Sequence, residues 1–348
     1  MHYRGKKTLL FIEPSLSSLL LLNKAKEKRY TTLVISSNST QQTLLEGALT
    51  ASSSFFQINT NNHMAVLDLV DKIAQKFYID GVIPGAANSI LLTSKVATYL
   101  NKPGLTPASA LRLLEKDLLW DTLKAHSIPT PHQQGALVDE DIQGKEYSIE
   151  GFLRNNDAHI VSIIEKLFLA ESNGTDKGCI VCSEIEPDLS EMIGSYVKKV
   201  ISALQLDYGP FQAEIKLTEK GPILIEIAMH TARGHLPKLI KYATGIDYYD
   251  NILNLFSAQP LFLHKTLNAN AGILYFYNPP YTETSLKKYF ESLLDNPYVK
   301  EVKVYDDDEE TLDPSPKKLK AGHAILLHKH YVNLKQLMEE VEINAPFS

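Results

Sequence analysis

The sequence predicts a chain that opens as α/β, with a parallel sheet covered by helices, and passes into an α+β region organised around an antiparallel hairpin. Two observations carry the prediction. Between residues 8 and 104, short apolar runs alternate with helical patterns, the signature of βαβ units. Between residues 211 and 228, the alternating runs FQAEIKL and PILIEIA flank the polar turn Thr218-Glu219-Lys220-Gly221, the pattern of a β-hairpin.

The elements follow in order. Residues 8–13 read as a short buried strand, 15–29 as a helix with a leucine-rich face, and Thr32-Leu33-Val34-Ile35 as the next strand. A helix from about Ala65 to Phe77 precedes the strand Gly81-Val82-Ile83 and the loop Pro84-Gly85-Ala86-Ala87-Asn88. After a further helix, Lys102-Pro103-Gly104 closes a first unit, 1–104. No glycine-rich fingerprint follows the first strand, so a nicotinamide cofactor is not indicated. A second unit, 105–265, starts with one amphipathic helix over 108–126, ended by Ile128-Pro129-Thr130-Pro131, where the prolines forbid helix. Strand-like segments follow at 135–138 and 146–150, then a helix over about 189–204 and the hairpin. The last section, 266–348, holds a strand at 272–276 and a helix near 284–294. The acidic run Asp306 to Glu310 reads as a solvated loop, and no internal repeat is visible.

Composition narrows the function. The 348 residues are 44% apolar and 22% charged, which supports a sizeable core and argues against disorder. Net charge is −6, and no basic cluster is longer than Pro316-Lys317-Lys318-Leu319-Lys320, which argues against nucleic acid as the main partner. Cys179 and Cys182 are the two cysteines. They sit in a strand-like run, where positions i and i+3 point to opposite faces, so they read as small buried hydrophobes rather than a redox pair. The apolar stretch after Lys6-Lys7 is interrupted by Glu13 and Pro14, so neither a signal peptide nor a membrane span is expected and the protein is placed in the cytoplasm.

The hairpin carries the chemistry. Each strand has one carboxylate, Glu214 and Glu226, among apolar neighbours. A carboxylate on a buried strand is costly without a partner. A shared hard cation, magnesium (Mg2+) above all, explains the pair, since such ions take one or two carboxylates and complete their shell with phosphate oxygens and water. The alternative is that both face solvent, or pair with Lys216 and a neighbouring basic side chain.

These segments, in this order, resemble the ATP-grasp superfamily of carboxylate–amine ligases, and within it the L-amino-acid (dipeptide) ligase branch. The resemblance rests on LKAHSIPTP (123–131), LVDEDIQGKEYSIEG (137–151) and AEIKLTEKGPILIEIAMHTARGHLPKLIKYATGIDYYD (213–250). It implies an ATP-grasp fold with a Rossmann-like N-terminal domain, a central lid and a C-terminal mixed β/α region. It also implies ATP and Mg2+ as cofactors, small-molecule substrates (an amino acid or similar carboxylate, and an amine), and a homodimer through the N-terminal unit. The adenine would lie at a hinge formed by Val138, Asp139, Glu140 and Ile142, with Glu146 taking the ribose hydroxyls and Lys116 the phosphates. Glu214 and Glu226 fall where the family binds magnesium. The family's substrate-gripping arginine is His230 here, with Arg233 three residues later. These two carry the expected catalytic role, and Glu150, Gly234 and His235 join them as expected substrate contacts.

Three departures stand out. The asparagine usual two residues after the second metal carboxylate is Ala228. The lysine expected before the proline-rich turn falls at Asp117, with Lys116 one position early, a turn of about 100° on a helix. Between Pro131 and Gly135, where the family carries several dozen more residues with a phosphate-binding lysine and a glycine-rich cover, only His132-Gln133-Gln134 intervene. Either the chain has lost this half-lid, or a mobile segment is missing from the sequence as read; the second is favoured, because the motif resumes in register directly afterwards.

Overall fold

A computed structural model describes residues 6–37, 42–131, 142–169, 175–232, 234–278, 283–305 and 319–346. The strand-like 135–138 segment, most of the hinge, Arg233 and the acidic run 306–310 lie outside the described residues. The 348-residue sequence is continuous between Pro131 and Ile142. The half-lid is therefore not a segment missing from the sequence as read, as favoured above: the chain itself is too short there to build it.

The first unit alternates strand and helix: β1 (Thr8–Ile12), α1 (Leu16–Glu27), β2 (Thr31–Ser36), α2 (Gln42–Ala51), β3 (Ser54–Gln57), α3 (His63–Ala74), β4 (Gly81–Pro84) and α4 (Ile90–Tyr99). Ser15 opens α1 with a reciprocal capping box to Ser18, which satisfies amide groups the first helical turn leaves unpaired. The strands pair in parallel in the order β3-β2-β1-β4. Every residue of β1 is buried, because helices cover both faces of a parallel sheet. Leu10, Ile12 and Val82 pack beneath α3 and α4, while Leu9, Phe11 and Val34 face α1 and the rest of the molecule.

Next come α5 (Pro107–Leu114) and α6 (Lys116–Ala125), where the sequence predicts one helix. Glu115 between them has extended backbone, φ −92° and ψ 99°. The break follows from two anchors that one straight rod cannot serve. Ser109 and Arg112 of α5 hydrogen-bond the main chain of Gln205 and Leu204, while α6 buries Leu119 and Leu123 in the core under the second sheet.

The remaining elements are β5 (Lys145–Arg154), β6 (Asp157–Phe168), β7 (Asp176–Cys182), α7 (Pro187–Ala203), β8 (Tyr208–Thr218), β9 (Gly221–Ala228), α8 (Leu236–Thr244), α9 (Tyr248–Phe256), β10 (Asn270–Asn278), α10 (Glu283–Leu293), β11 (Val299–Val304), β12 (Leu319–His328) and α11 (Tyr331–Ile343). Among the described residues, eight of these strands form one sheet, ordered β11-β12-β10-β7-β6-β5-β8-β9, with antiparallel pairing throughout. The C-terminal strands thus extend the same sheet that holds the hairpin. On one face Ile149, Phe211, Ala213, Ile215 and Leu224 join the core against α7. Each such side chain contributes about 1.5–3 kcal/mol when fully buried. Strict alternation then puts Glu146, Ser148, Gln212 and Glu214 on the opposite face, which α8 and α9 cover only in part.

Candidate active site

The hairpin β8–β9 turns through Glu219-Lys220 and closes at Gly221, whose φ of +113° suits glycine. Its register holds one irregularity. Thr218 pairs with Gly221 and Ile215 with Leu224, but Glu214 pairs with Glu226. Ile225 is the extra residue of a bulge. Without it Glu214 would oppose Ile225, and Glu226 would point to the other face; the bulge re-aims Glu226. The two carboxylates are therefore direct cross-strand partners on one face, and both line the same cavity.

That cavity has a volume of about 180 Å³ and crosses the sheet from β9 to β10. Its floor includes Ser148, Lys166, Cys179, Gln212 and Tyr275, and Gly234, His235, Leu236 and Leu239 form the wall at the start of α8. Lys166 on β6 is the central cation. Its Nζ lies 2.6 Å from Glu146 and 3.1 Å from Glu214. Burial opposes its charge, but Glu214 and Glu146 outweigh that and hold its pKa above the ordinary lysine value. Glu214 thus pairs with Lys166, and the basic neighbour considered from the sequence, Lys216, stands one pair further along β8, opposite Glu146. Among the described residues no group of three or more His, Cys, Asp or Glu converges as a metal site. Two adjacent carboxylates facing an open cavity do fit magnesium that arrives with phosphates and water as its other ligands.

Glu150 is fully buried and does not line the cavity. Its Oε1 accepts from Ser148 Oγ (3.1 Å) and Gln212 Nε2 (2.8 Å), and its Oε2 from Tyr248 OH (3.3 Å). Burial pushes its pKa up to about 8 against these three donors. It pairs across the strands with Gln212 and lies two residues along β5 from Ser148, and it fixes both side chains by these hydrogen bonds.

His235 forms the N-terminal cap position of α8. Its ring lies 4.3 Å from that of His323 on β12, and Tyr305 reaches both rings. Burial, and then the nearby His323 and Lys238, push the His235 pKa down to about 3, so the imidazole is neutral. Gly234 beside it has φ +57°, a conformation that glycine adopts without strain.

The other expected residues scatter. Lys116 is exposed at the start of α6 and does not line the cavity. Ile142 is buried. Val138, Asp139, Glu140 and Arg233 lie outside the described residues. His230 is buried, with Nδ1 3.0 Å from the carbonyl of Thr231, and is not part of the cavity wall. Cys179 faces the cavity and Cys182 the core beneath α10 and α11; burial pushes both thiols up to about 12, which makes them poor nucleophiles. Sequence reasoning missed Lys166, Ser148, Gln212 and Tyr275. The signal for Lys166 was present in Val-Ser-Ile-Ile-Glu-Lys-Leu-Phe, where alternation places it on the face of Ile164.

Comparison with known proteins agrees with this architecture. Residues 110–236 match the family model for the ATP-grasp domain. Among solved structures, an L-amino acid ligase from Bacillus licheniformis superposes with a TM-score of 0.75 at 17% identity, over 99% of this chain and 98% of that one. A phosphoribosylglycinamide synthetase from Anaerococcus prevotii gives 0.72 at 15% identity, over 99% and 100% of the two chains. An N5-carboxyaminoimidazole synthetase from Staphylococcus aureus, complexed with ADP, gives 0.68 at 14%, over 98% of each. No curated protein sequence matches the chain. Residues 110–236 are therefore an ATP-grasp domain, set in an ATP-grasp fold that runs the length of the protein.

Proposed function

We propose that this chain is an ATP- and magnesium-dependent ligase that joins a small carboxylate, an amino acid, to an amine in the cytoplasm. One observation carries the reading: Glu214 and Glu226 meet across the hairpin on the cavity floor, with Lys166 beside them. In the reaction, the acid's carboxylate attacks the γ-phosphate to give an acyl phosphate and ADP, and the amine then displaces phosphate to form the amide. The first step needs positioning and charge neutralisation more than covalent help. Lys166 supplies a fixed ammonium to the phosphate oxygens. Glu214 and Glu226 would hold magnesium, which would supply charge neutralisation at the phosphates.

The hinge residues Val138, Asp139, Glu140 and Ile142 are assigned to the adenine and Glu146 to the ribose. Arg233 immediately precedes Gly234 on the cavity wall, and we assign it the substrate carboxylate. His230 is buried three residues before Arg233, with its Nδ1 at the carbonyl of Thr231. Replacing Glu226 with alanine should abolish ADP release on addition of amino acids, and unchanged turnover would refute the assignment. A phosphate-release screen over pairs of common amino acids identifies the substrates.

The short junction between Pro131 and Ile142 favours a second reading, a protein that binds nucleotide without ligation. ATP binding by calorimetry, with no amino-acid-stimulated phosphate release, would support it. No rise in melting temperature with Mg-ATP would favour a scaffold that kept only the fold.

A further inference from the structure

The ligase reading leaves one chemical demand unassigned. An amine enters at neutral pH as an ammonium ion, which has no lone pair, so a proton must leave before it can attack the acyl phosphate. A file of hydrogen-bonding groups runs from the cavity wall toward solvent. His235 lines the cavity, and its Nε2 lies 3.4 Å from Tyr305 OH. Tyr305 OH lies 2.7 Å from His323 Nδ1. The Nε2 of fully buried His323 makes no hydrogen bond and stands 3.5 Å from Glu301 Oε1, an ion-pair distance. Glu301 is about one-quarter exposed and is gripped by Lys238 at 2.8 and 2.9 Å. His235 Nδ1 carries no hydrogen bond among the described residues, although its residue occupies a helix cap position.

We propose that His235 is the general base that deprotonates the incoming amine, and that Tyr305, His323 and Glu301 form a relay carrying the proton to solvent. This rests on the ligase reading above. With N–H on Nε2 of both imidazoles, every contact in the file points one way. The amine gives a proton to His235 Nδ1, the Nε2 proton passes to Tyr305 oxygen, the phenol proton to His323 Nδ1, and the His323 Nε2 proton to Glu301. The freed lone pair forms the C–N bond as the C–O bond to phosphate breaks, and phosphate leaves with that electron pair. Burial and the neighbouring His323 and Lys238 oppose a lasting charge on His235, so its ring gives up the Nε2 proton as Nδ1 takes the one from the amine. The charged and titratable groups around it are His323, Lys238, Glu301, Lys320, Tyr275 and Tyr305. His235 is the catalytic residue here, and Tyr305 and His323 are positioning residues.

The test compares two nucleophiles in the full-length enzyme with Mg-ATP and a mixture of the common amino acids. Glycinamide enters largely protonated, whereas hydroxylamine is already unprotonated at neutral pH and needs no base. The expected result for His235→Asn is a loss of about 100-fold in glycinamide-dependent product. Tyr305→Phe, which keeps the ring, should lose about tenfold, with the acid limb of its pH profile moved upward. Hydroxamate formation should fall far less than glycinamide-dependent product in both variants, because base catalysis is bypassed. Equal losses with both nucleophiles, or no loss with either, overturn the relay while leaving the ligase reading intact. A wild-type enzyme that forms no hydroxamate from any amino acid overturns the ligase reading, and the relay with it.

Discussion

Lys166 stands between two carboxylates, Glu146 and Glu214, which the proposed reaction would use for different partners, ribose and magnesium. Removing a charged partner from half-buried groups leaves them unsatisfied, at about 1–3 kcal/mol each. Lys166→Gln is therefore expected to lower the melting temperature and to weaken Mg-ATP binding by at least about tenfold, since one charge-assisted contact is worth about 1.5–3 kcal/mol; calorimetry on the variant checks both. Glu150 gives a pH signature. In the unfolded chain its carboxyl ionises near its ordinary value of 4.5, while in the folded chain it keeps its proton up to about 8. Folding therefore retains a proton that the unfolded chain has lost. That contribution to stability is complete below the unfolded value and is lost as pH rises toward the folded one. Glu150→Gln, neutral at every pH, should show a flatter melting temperature between pH 5 and 8 than wild type. Parallel curves for the two proteins would place the buried carboxyl outside this account.

The hairpin illustrates what an element reveals in sequence and what it hides. Its two strands, its turn and its acidic pair are visible in the alternation of residues 211–228. Counting strictly from the turn, however, puts Glu226 on the wrong face, and only the bulge at Ile225 returns it to the side of Glu214. No propensity distinguishes Ile225 from its neighbours Leu224 and Ile223, so the bulge is not legible locally. The break at Glu115 has the same character: the pattern over 108–126 is helical throughout, and the interruption comes from distant anchors at Leu204 and Gln205. By contrast, Cys179 and Cys182 were placed correctly because a three-residue separation in a strand has one geometric meaning. On the face opposite the cavity, Phe211 is fully buried in the core that keeps β8 flat against α7. Phe211→Ala should cost about 3–5 kcal/mol, measured by urea denaturation.

At the scale of the whole molecule, the fold was readable because its rules are global: alternating βαβ segments require a covered parallel sheet, and the first four strands form one. The substrate end of the site was less readable. His235 meets Tyr305 and His323 only because β11 and β12, 70 and 88 residues further along the chain at these two positions, join the large sheet. The protein also has a floor with less roof than its resemblance implies. With so few residues between Pro131 and Ile142, water should reach the acyl phosphate more easily than under a full cover. ADP formation is therefore expected to exceed amide formation under saturating substrates, which paired phosphate release and mass spectrometry would measure. A one-to-one ratio would mean that the floor and the wall of α8 suffice to keep water out.

The ammonium seated between Glu146 and Glu214 has one more consequence. That single ammonium offsets only part of the charge of Glu146 and Glu214, and Glu226 stands outside its ion pairs, so a lone divalent cation is held less firmly than one that brings phosphate oxygens with it. Magnesium should enter as the escort of a nucleotide, so a chelator added to the apoprotein should leave its melting curve unmoved.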